Sequence, residues 1–334
     1  MNKIVANRGK VEIAPHHTGE LHSSHLKIRT LYSVISPGTE LTIIENSHHQ
    51  SITLGYSAMG VIEELGADVK GFVIGERVAV YGAPYVQHAE ILHVPKTLCV
   101  KVPERVESKE AALGGIGAIA IHALRIADLR FGETCVIVGL GLLGQMIAQI
   151  ADAAGYRVVA CDLHDERAAM TRRSSRVRAV SSLGALEEEI SSCTDGHGAD
   201  AVLLCAGGKK SSLTSQSLEW IRNKGKVVIV GDIEPDFPRH PMFSKEAQLL
   251  ISRAGGPGRY DQSYEADAVD YPYGFVRWTE GRNLAEYIRL VSEKRIDVTP
   301  FIQEVVGFSE VTGVFSELMD KKTSTLTKVI DYAK

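Results

Sequence analysis

The stretch Gly139-Leu140-Gly141-Leu142-Leu143-Gly144 constrains this chain more than any other. An apolar run, Cys135 to Val138, leads straight into it, and the residues from Leu142 to Ala153 read as a helix. Glycines at this spacing between a buried strand and a helix are what a phosphate-binding turn needs. The first permits a tight turn, the second lets the backbone approach a pyrophosphate, and the third lets the helix lie against the strand. Free N–H groups at the helix start add donors and partial positive charge. A tight turn without a ligand is the alternative reading.

The surrounding sequence supplies the rest of a nucleotide-binding pattern. Buried strands are expected at Arg157 to Cys161, Ala201 to Cys205 and Lys226 to Val230, alternating with helices. Strands buried on both faces and separated by helices indicate a doubly wound parallel sheet in an α/β domain. Asp162 closes the second strand, with Leu163 after it, 18 residues beyond Gly144. An acid there can accept both adenosine ribose hydroxyls and would repel a 2′-phosphate, so the expected cofactor is NAD. The other reading of Asp162 is a helix N-cap, and Arg167 is expected on the outer helix surface. Cys205-Ala206-Gly207 and Gly231-Asp232 end two later strands and are expected to border the dinucleotide.

The 334 residues exceed one average domain. Residues 116–255 form the expected dinucleotide domain. Residues 1–115, with many short strands and Gly turns, and 256–334 form a second, β-rich domain. A methyltransferase can carry a similar Gly loop and acid, but a β-rich domain preceding the nucleotide fold argues against one. The net charge of -4 argues against general nucleic-acid binding. No apolar run approaches the roughly 18 residues of a membrane span, and the polar N-terminus does not read as a signal peptide. Five scattered cysteines without metal-ligand spacing fit a reducing cytoplasm. His16-His17 and His48-His49 read as solvated loop pairs.

This order of domains resembles the medium-chain dehydrogenase/reductase superfamily, the alcohol and sorbitol dehydrogenase type, over nearly the whole chain. Ser33-Val34-Ile35-Ser36-Pro37-Gly38-Thr39-Glu40-Leu41 is similar to the segment that usually carries a catalytic-zinc cysteine. Gly55-Tyr56-Ser57-Ala58-Met59-Gly60-Val61-Ile62 is similar to a Gly-His-Glu-x-x-Gly-x-Val segment, and Gly66 through Val78 to a turn pair ending in Gly-Asp-Arg-Val. The resemblance implies a GroES-like β-barrel catalytic domain beside a Rossmann domain. It also implies a homodimer or homotetramer paired through the sheet edge, around Lys226 to Ile233. The first zinc-ligand position holds Ser36, the second Tyr56 and the third Gly114, and the four-cysteine structural lobe is missing after Val80. Zinc needs N, S or carboxylate ligands, so no metal is expected. Ile35-Ser36-Pro37-Gly38-Thr39-Glu40 and Leu54-Gly55-Tyr56-Ser57-Ala58-Met59-Gly60 resemble a zinc-ligand-free branch related to bacteriochlorophyllide dehydrogenases and to threonine- or inositol-dehydrogenase-like proteins.

Without a metal, a side chain must handle the proton that accompanies hydride transfer. Tyr56 is the first candidate, with pocket packing as its other role. A phenol of pKa ~10 needs a nearby cation or donor to act near neutrality. Thr39 resembles the family's proton-relay hydroxyl, Glu40 is a base or a salt-bridge partner, and Ser36 completes the catalytic set. Arg259, Tyr260 and His122 are the substrate candidates, Arg259 because a guanidinium is a planar donor fork. Salt bridging and core packing are the alternatives for Arg259 and His122. The expected reaction is NAD-linked interconversion of a secondary alcohol and ketone on a small polar metabolite. A zinc-free reductase of activated C=C bonds and a catalytically inactive dinucleotide-binding protein are the competing readings.

Overall fold

The computed structural model describes residues 1–209, 211–318 and 325–333. Two compact units emerge: Met1–Ala118 with Gly255–Lys294 and Phe301–Lys334, and Ile119–Ala254 with Arg295–Pro300. The short tail segment joins the second unit through a paired contact. Gln149 Nε2 donates to the Asp297 carbonyl at 2.7 Å, and the Asp297 N–H donates back to Gln149 Oε1 at 2.9 Å.

In the second unit six parallel strands lie in the spatial order Arg178–Val180, Arg157–Cys161, Thr134–Val138, Ala199–Leu204, Ile221–Ile229, Gln248–Ile251. Thr134–Val138 is buried at every position, as its apolar run requires. The chain direction across the sheet reverses between this strand and Ala199–Leu204, where ligands of such sheets bind. One expectation needs correction here. The Ile221–Ile229 strand, which contains Lys226, has neighbours on both sides, so it is not an edge. The edge strand on that side is Gln248–Ile251, with Leu249 and Ile251 exposed.

The first unit holds a seven-stranded, mostly antiparallel sheet and a small three-stranded one. Register shifts where His25–Val34 pairs with Ser57–Leu65 add twist to its central pair. The Pro37–Asn46 helix was not expected from the sequence. Pro37 sits at its start, where a missing N–H costs nothing. Two helices, Ser108–Ala112 and Gly114–Ala127, meet at Leu113. The glycines of the second are a packing requirement. A Cβ on Gly117 would lie 2.0 Å from the Tyr287 ring, and one on Gly114 2.5 Å from Leu284 Cδ1. A later helix spans Glu280–Ser292, with the Thr279 hydroxyl capping the Arg282 N–H.

Candidate functional site

The Gly loop has the geometry its sequence demands. Gly139 has φ +97°, a left-handed conformation that glycine adopts without steric cost. A Cβ there would also lie 2.7 Å from the Ala206 nitrogen. One on Gly144 would lie 1.9 Å from the Gly139 carbonyl oxygen, so helix and strand touch only because it is glycine. Gly141, the N-cap of Leu142–Ala153, is different: nothing lies within 4 Å of its Cβ position. That open face, above the helix's free N–H groups, can admit a phosphate. Leu140 and Leu142 are buried anchors and Leu143 is half-buried.

Three strand ends meet beside this loop. A Cβ on Gly231 would lie 2.5 Å from the Ala206 carbonyl, and the Gly208 N–H donates to the Asp232 carbonyl at 3.0 Å. Cys205 and Ala206 are half-buried, whereas Gly207 and Asp232 are exposed. Asp162 is mostly buried. Its Oδ2 accepts the Leu140 N–H at 2.7 Å and its Oδ1 the His164 N–H at 2.9 Å. The acid therefore ties the second strand's end to the Gly loop. It is not the N-cap of the following helix, which is His164. Arg167 also departs from expectation: it turns inward, with Nη1 3.8 Å from Asp162 Oδ2. Leu163 is exposed beside them.

Sequence reasoning missed Gln145. This buried side chain donates to the carbonyls of Leu140 (3.3 Å) and Arg167 (2.8 Å) and accepts from the Thr171 hydroxyl at 2.7 Å. It fastens the loop and its own helix to the Asp165–Ser174 helix. A buried amide opening an apolar helix needs partners, and that was its signal. His122, in the same unit, is buried. Desolvation, with Arg125 and Arg253 nearby, lowers its pKa to about 4, so it is neutral at pH 7.

In the first unit the structure brings Ser36, Thr39, Glu40 and Tyr56 together. Tyr56 donates to Ser36 Oγ at 2.6 Å. Burial pushes its phenol well above the ordinary value, against the hydrogen bonds of Ser36 and Thr39. None of the groups acting on it is a cation. Glu40 has no exposed surface. Its Oε1 accepts the Ser36 N–H at 2.7 Å, and its Oε2 lies 2.9 Å from His88 Nε2. His88 Nδ1 in turn meets Ser33 Oγ at 2.7 Å. Both Glu40 oxygens are thus engaged by protein groups, and the side chain braces the helix that carries Ser36 and Thr39. The His16 ring, expected in solvent, is buried, with Nε2 3.1 Å from the Ile91 carbonyl.

The donor set at the three zinc-ligand positions does not suit a metal. Ser36 and Tyr56 are hydrogen-bonded to each other, and Gly114 offers no side chain. No ligand could be added at Gly114 or Gly115 without displacing neighbours: a Cβ on Gly115 would lie 2.7 Å from Tyr81 Cδ2. The Tyr81 ring fills that space and meets Tyr56 edge-on, centroids 6.1 Å apart. No group of three or more His, Cys, Asp or Glu suited to a metal occurs among the described residues. Arg259 is ion-paired with Glu265, and its guanidinium lies 4.3 Å from the ring centre of exposed Tyr260.

Residues 143–268 match a family model described as zinc-binding dehydrogenase. The 2-dehydro-3-deoxy-L-galactonate 5-dehydrogenase of Pseudoalteromonas atlantica is 24% identical over 315 residues, covering 84% of each chain. A sorbitol dehydrogenase of Halalkalibacterium halodurans is 26% identical over 71% of this chain and 78% of its own. The crystal structure of galactitol-1-phosphate dehydrogenase from Escherichia coli superposes with a TM-score of 0.80 at 17% identity. It covers 99% of this chain and 100% of its own. No helix among the described residues is long and apolar enough to cross a membrane. With a six-stranded parallel sheet bearing the Gly loop and a separate β-rich unit, the chain has the fold of these dehydrogenases, and over residues 143–268 it is similar to the zinc-binding dehydrogenase family.

Proposed function

We propose that this protein is an NAD-linked oxidoreductase that moves a hydride between nicotinamide and a secondary alcohol or ketone of a sugar, cyclitol or related polar metabolite. No catalytic zinc takes part in this reading. The observation that carries it is the open face at Gly141, above a helix start and beside Asp162, at the carboxyl end of a parallel sheet. The named activities of the relatives, on sugar acids and polyols, support the substrate class.

A nicotinamide dinucleotide held at the Gly139–Gly144 turn would supply the hydride acceptor for a carbinol C–H, or the hydride donor in reduction, and the accompanying proton would pass to or from this chain's own groups. A phenol raised by burial stays protonated at neutral pH. In the reduction direction Tyr56 turns its hydroxyl from Ser36 Oγ to the substrate oxygen and gives its proton as alkoxide character develops; in oxidation that proton returns to the phenolate so formed. Thr39, exposed at the same helix start, links that phenol to solvent. Glu40 braces the group without touching substrate. Tyr260, exposed and backed by Arg259, offers an aromatic face to a polar ring.

A second reading has a specific observation behind it. Arg167 beside Asp162 could receive a 2′-phosphate, which fits an NADPH-dependent reductase of activated C=C bonds. Two copies of the chain are expected to associate through the exposed Gln248–Ile251 edge, and the working compartment is the cytoplasm. A screen of polyols with NAD and NADP, alongside elemental analysis for zinc, tests the proposal. The expected result is NAD reduction by a polyol in metal-free protein. Turnover of enones with NADPH alone would replace it by the second reading.

A further inference from the structure

A carboxyl group in the first unit lacks any partner that its charged form could use. Glu280 opens the Glu280–Ser292 helix and has no exposed surface. Neither of its oxygens meets a donor, and the group its carboxyl faces is the Glu265 carboxyl. A helix start ordinarily favours a carboxylate, yet an unpaired buried charge is costly. The neighbouring acid is Glu265, nearly buried and ion-paired with Arg259. Two carboxylates can only accept, so as anions they repel. One proton between them changes both facts: the contact becomes O–H···O, and with Arg259 the cluster carries no net charge.

Four phenols feel this cluster: Tyr85 meets the charges of Glu265 and Arg259, and Tyr81, Tyr264 and Tyr271 that of Glu280. Tyr264 donates to Thr279 at 2.9 Å, and stacked Tyr271 lies beyond it with ring centroids 5.5 Å apart. Tyr81 comes from the Arg77–Tyr81 strand. Its ring and the Glu280 stem converge on Gly255, where a Cβ would lie 2.5 Å from Tyr81 Cε1 and 3.0 Å from Glu280 Cβ. Tyr81 fills the space beside Gly115 and stands edge-on to Tyr56. The pair is therefore built into the wall behind the proposed proton donor.

We propose that Glu265 and Glu280 share a single proton, and that this proton fixes Tyr81 behind Tyr56, making Glu280 a positioning residue for the proposed proton transfer. Desolvation first and the charge of Glu265 second raise the Glu280 carboxyl to about 8, in keeping with a proton held at neutrality. Losing it places a second negative charge beside Tyr81 and loosens the wall. The role in transfer rests on the oxidoreductase reading; the shared proton does not.

Infrared spectroscopy of protein carrying carbonyl-labelled glutamate separates the two. A protonated-carboxyl stretch is expected at pH 6, lost by pH 10 and missing in Glu280→Gln. Its absence at pH 6 in the wild type overturns the shared proton. Near-ultraviolet difference absorbance reads the tyrosines without any substrate. The wild type is expected to change with the same midpoint as the carboxyl band, and Glu280→Gln, whose amide donates to Glu265 at every pH, is not. Coincident tyrosine behaviour in both proteins overturns the positioning role. Ketone reduction adds a third readout, with an alkaline decline in kcat/KM that Glu280→Gln abolishes while its activity at pH 6 persists. The same decline in the variant overturns the role in transfer. If no substrate turns over, the oxidoreductase reading fails, and the spectra still decide the pair.

Discussion

Replacing Gly144 and Gly141 one at a time by alanine separates packing from ligand approach. At Gly144 the added Cβ would stand 1.9 Å from the Gly139 carbonyl oxygen, against a floor of 3.0 Å for real Cβ contacts. Helix and loop must part by about 1.1 Å, and the opposing atom is backbone that cannot swing aside. Overpacking of this kind costs ~1–3 kcal/mol, or roughly 2–12 °C in the melting of a unit this size. At Gly141 the Cβ meets nothing within 4 Å and φ is -66°. Alanine there should change stability by less than ~1 kcal/mol, the scale of an N-cap change from glycine. Its methyl instead occupies the face where a pyrophosphate would rest, so NADH affinity should fall at least about tenfold, ~1.4 kcal/mol. Differential scanning calorimetry and fluorescence titration with NADH measure the two effects. A Gly141→Ala protein that melts normally and binds NADH as the wild type does would refute the placement of the phosphates.

Three further outcomes follow from the geometry. Glu280 titrates at about 8 in the folded chain against an ordinary 4.5, so folding takes up a proton between those values. The stability it contributes is complete below about pH 4.5 and is lost as pH rises toward 8; Glu280→Gln should remove up to ~5 kcal/mol of that loss, read as a smaller fall in melting temperature from pH 5 to pH 8.5. Asp162→Asn must turn an amide NH₂ toward the N–H of either Leu140 or His164; the preference for NADH over NADPH should narrow about tenfold (~1.4 kcal/mol), measured as a ratio of dissociation constants. Ile251→Lys places a charge on the exposed edge strand and should shift sedimentation toward monomer.

The nucleotide-binding unit was legible because its signals are local. The strand, turn and helix around Gly139–Gly144 are consecutive in sequence, and each glycine has a steric task within a few residues. The sheet edge was not legible: the apolar run containing Lys226 reads as a buried strand either way, and the more exposed Gln248–Ile251 strand that flanks it carries a weaker pattern. Glu40 and Ser36 stood out as unusual residues in a familiar segment. Their division of labour depends on His88, which is 48 residues from Glu40 in sequence and pairs with it in space. Arg167 looked like surface because helical spacing does not reveal that its long side chain folds back on Asp162. Glu280 escaped because a helix-opening acid is ordinarily a favourable, solvated feature; only the packing of Gly255, Tyr81 and Glu265 around it makes it costly.

The central claim is that a nicotinamide dinucleotide rests its phosphates on the Gly139–Gly144 turn. Isothermal titration calorimetry of the purified chain with NADH and with NAD tests it most directly. One binding site per chain, weakened by Gly141→Ala without loss of folding, is the predicted result. No heat of binding from either form at millimolar concentration would contradict it.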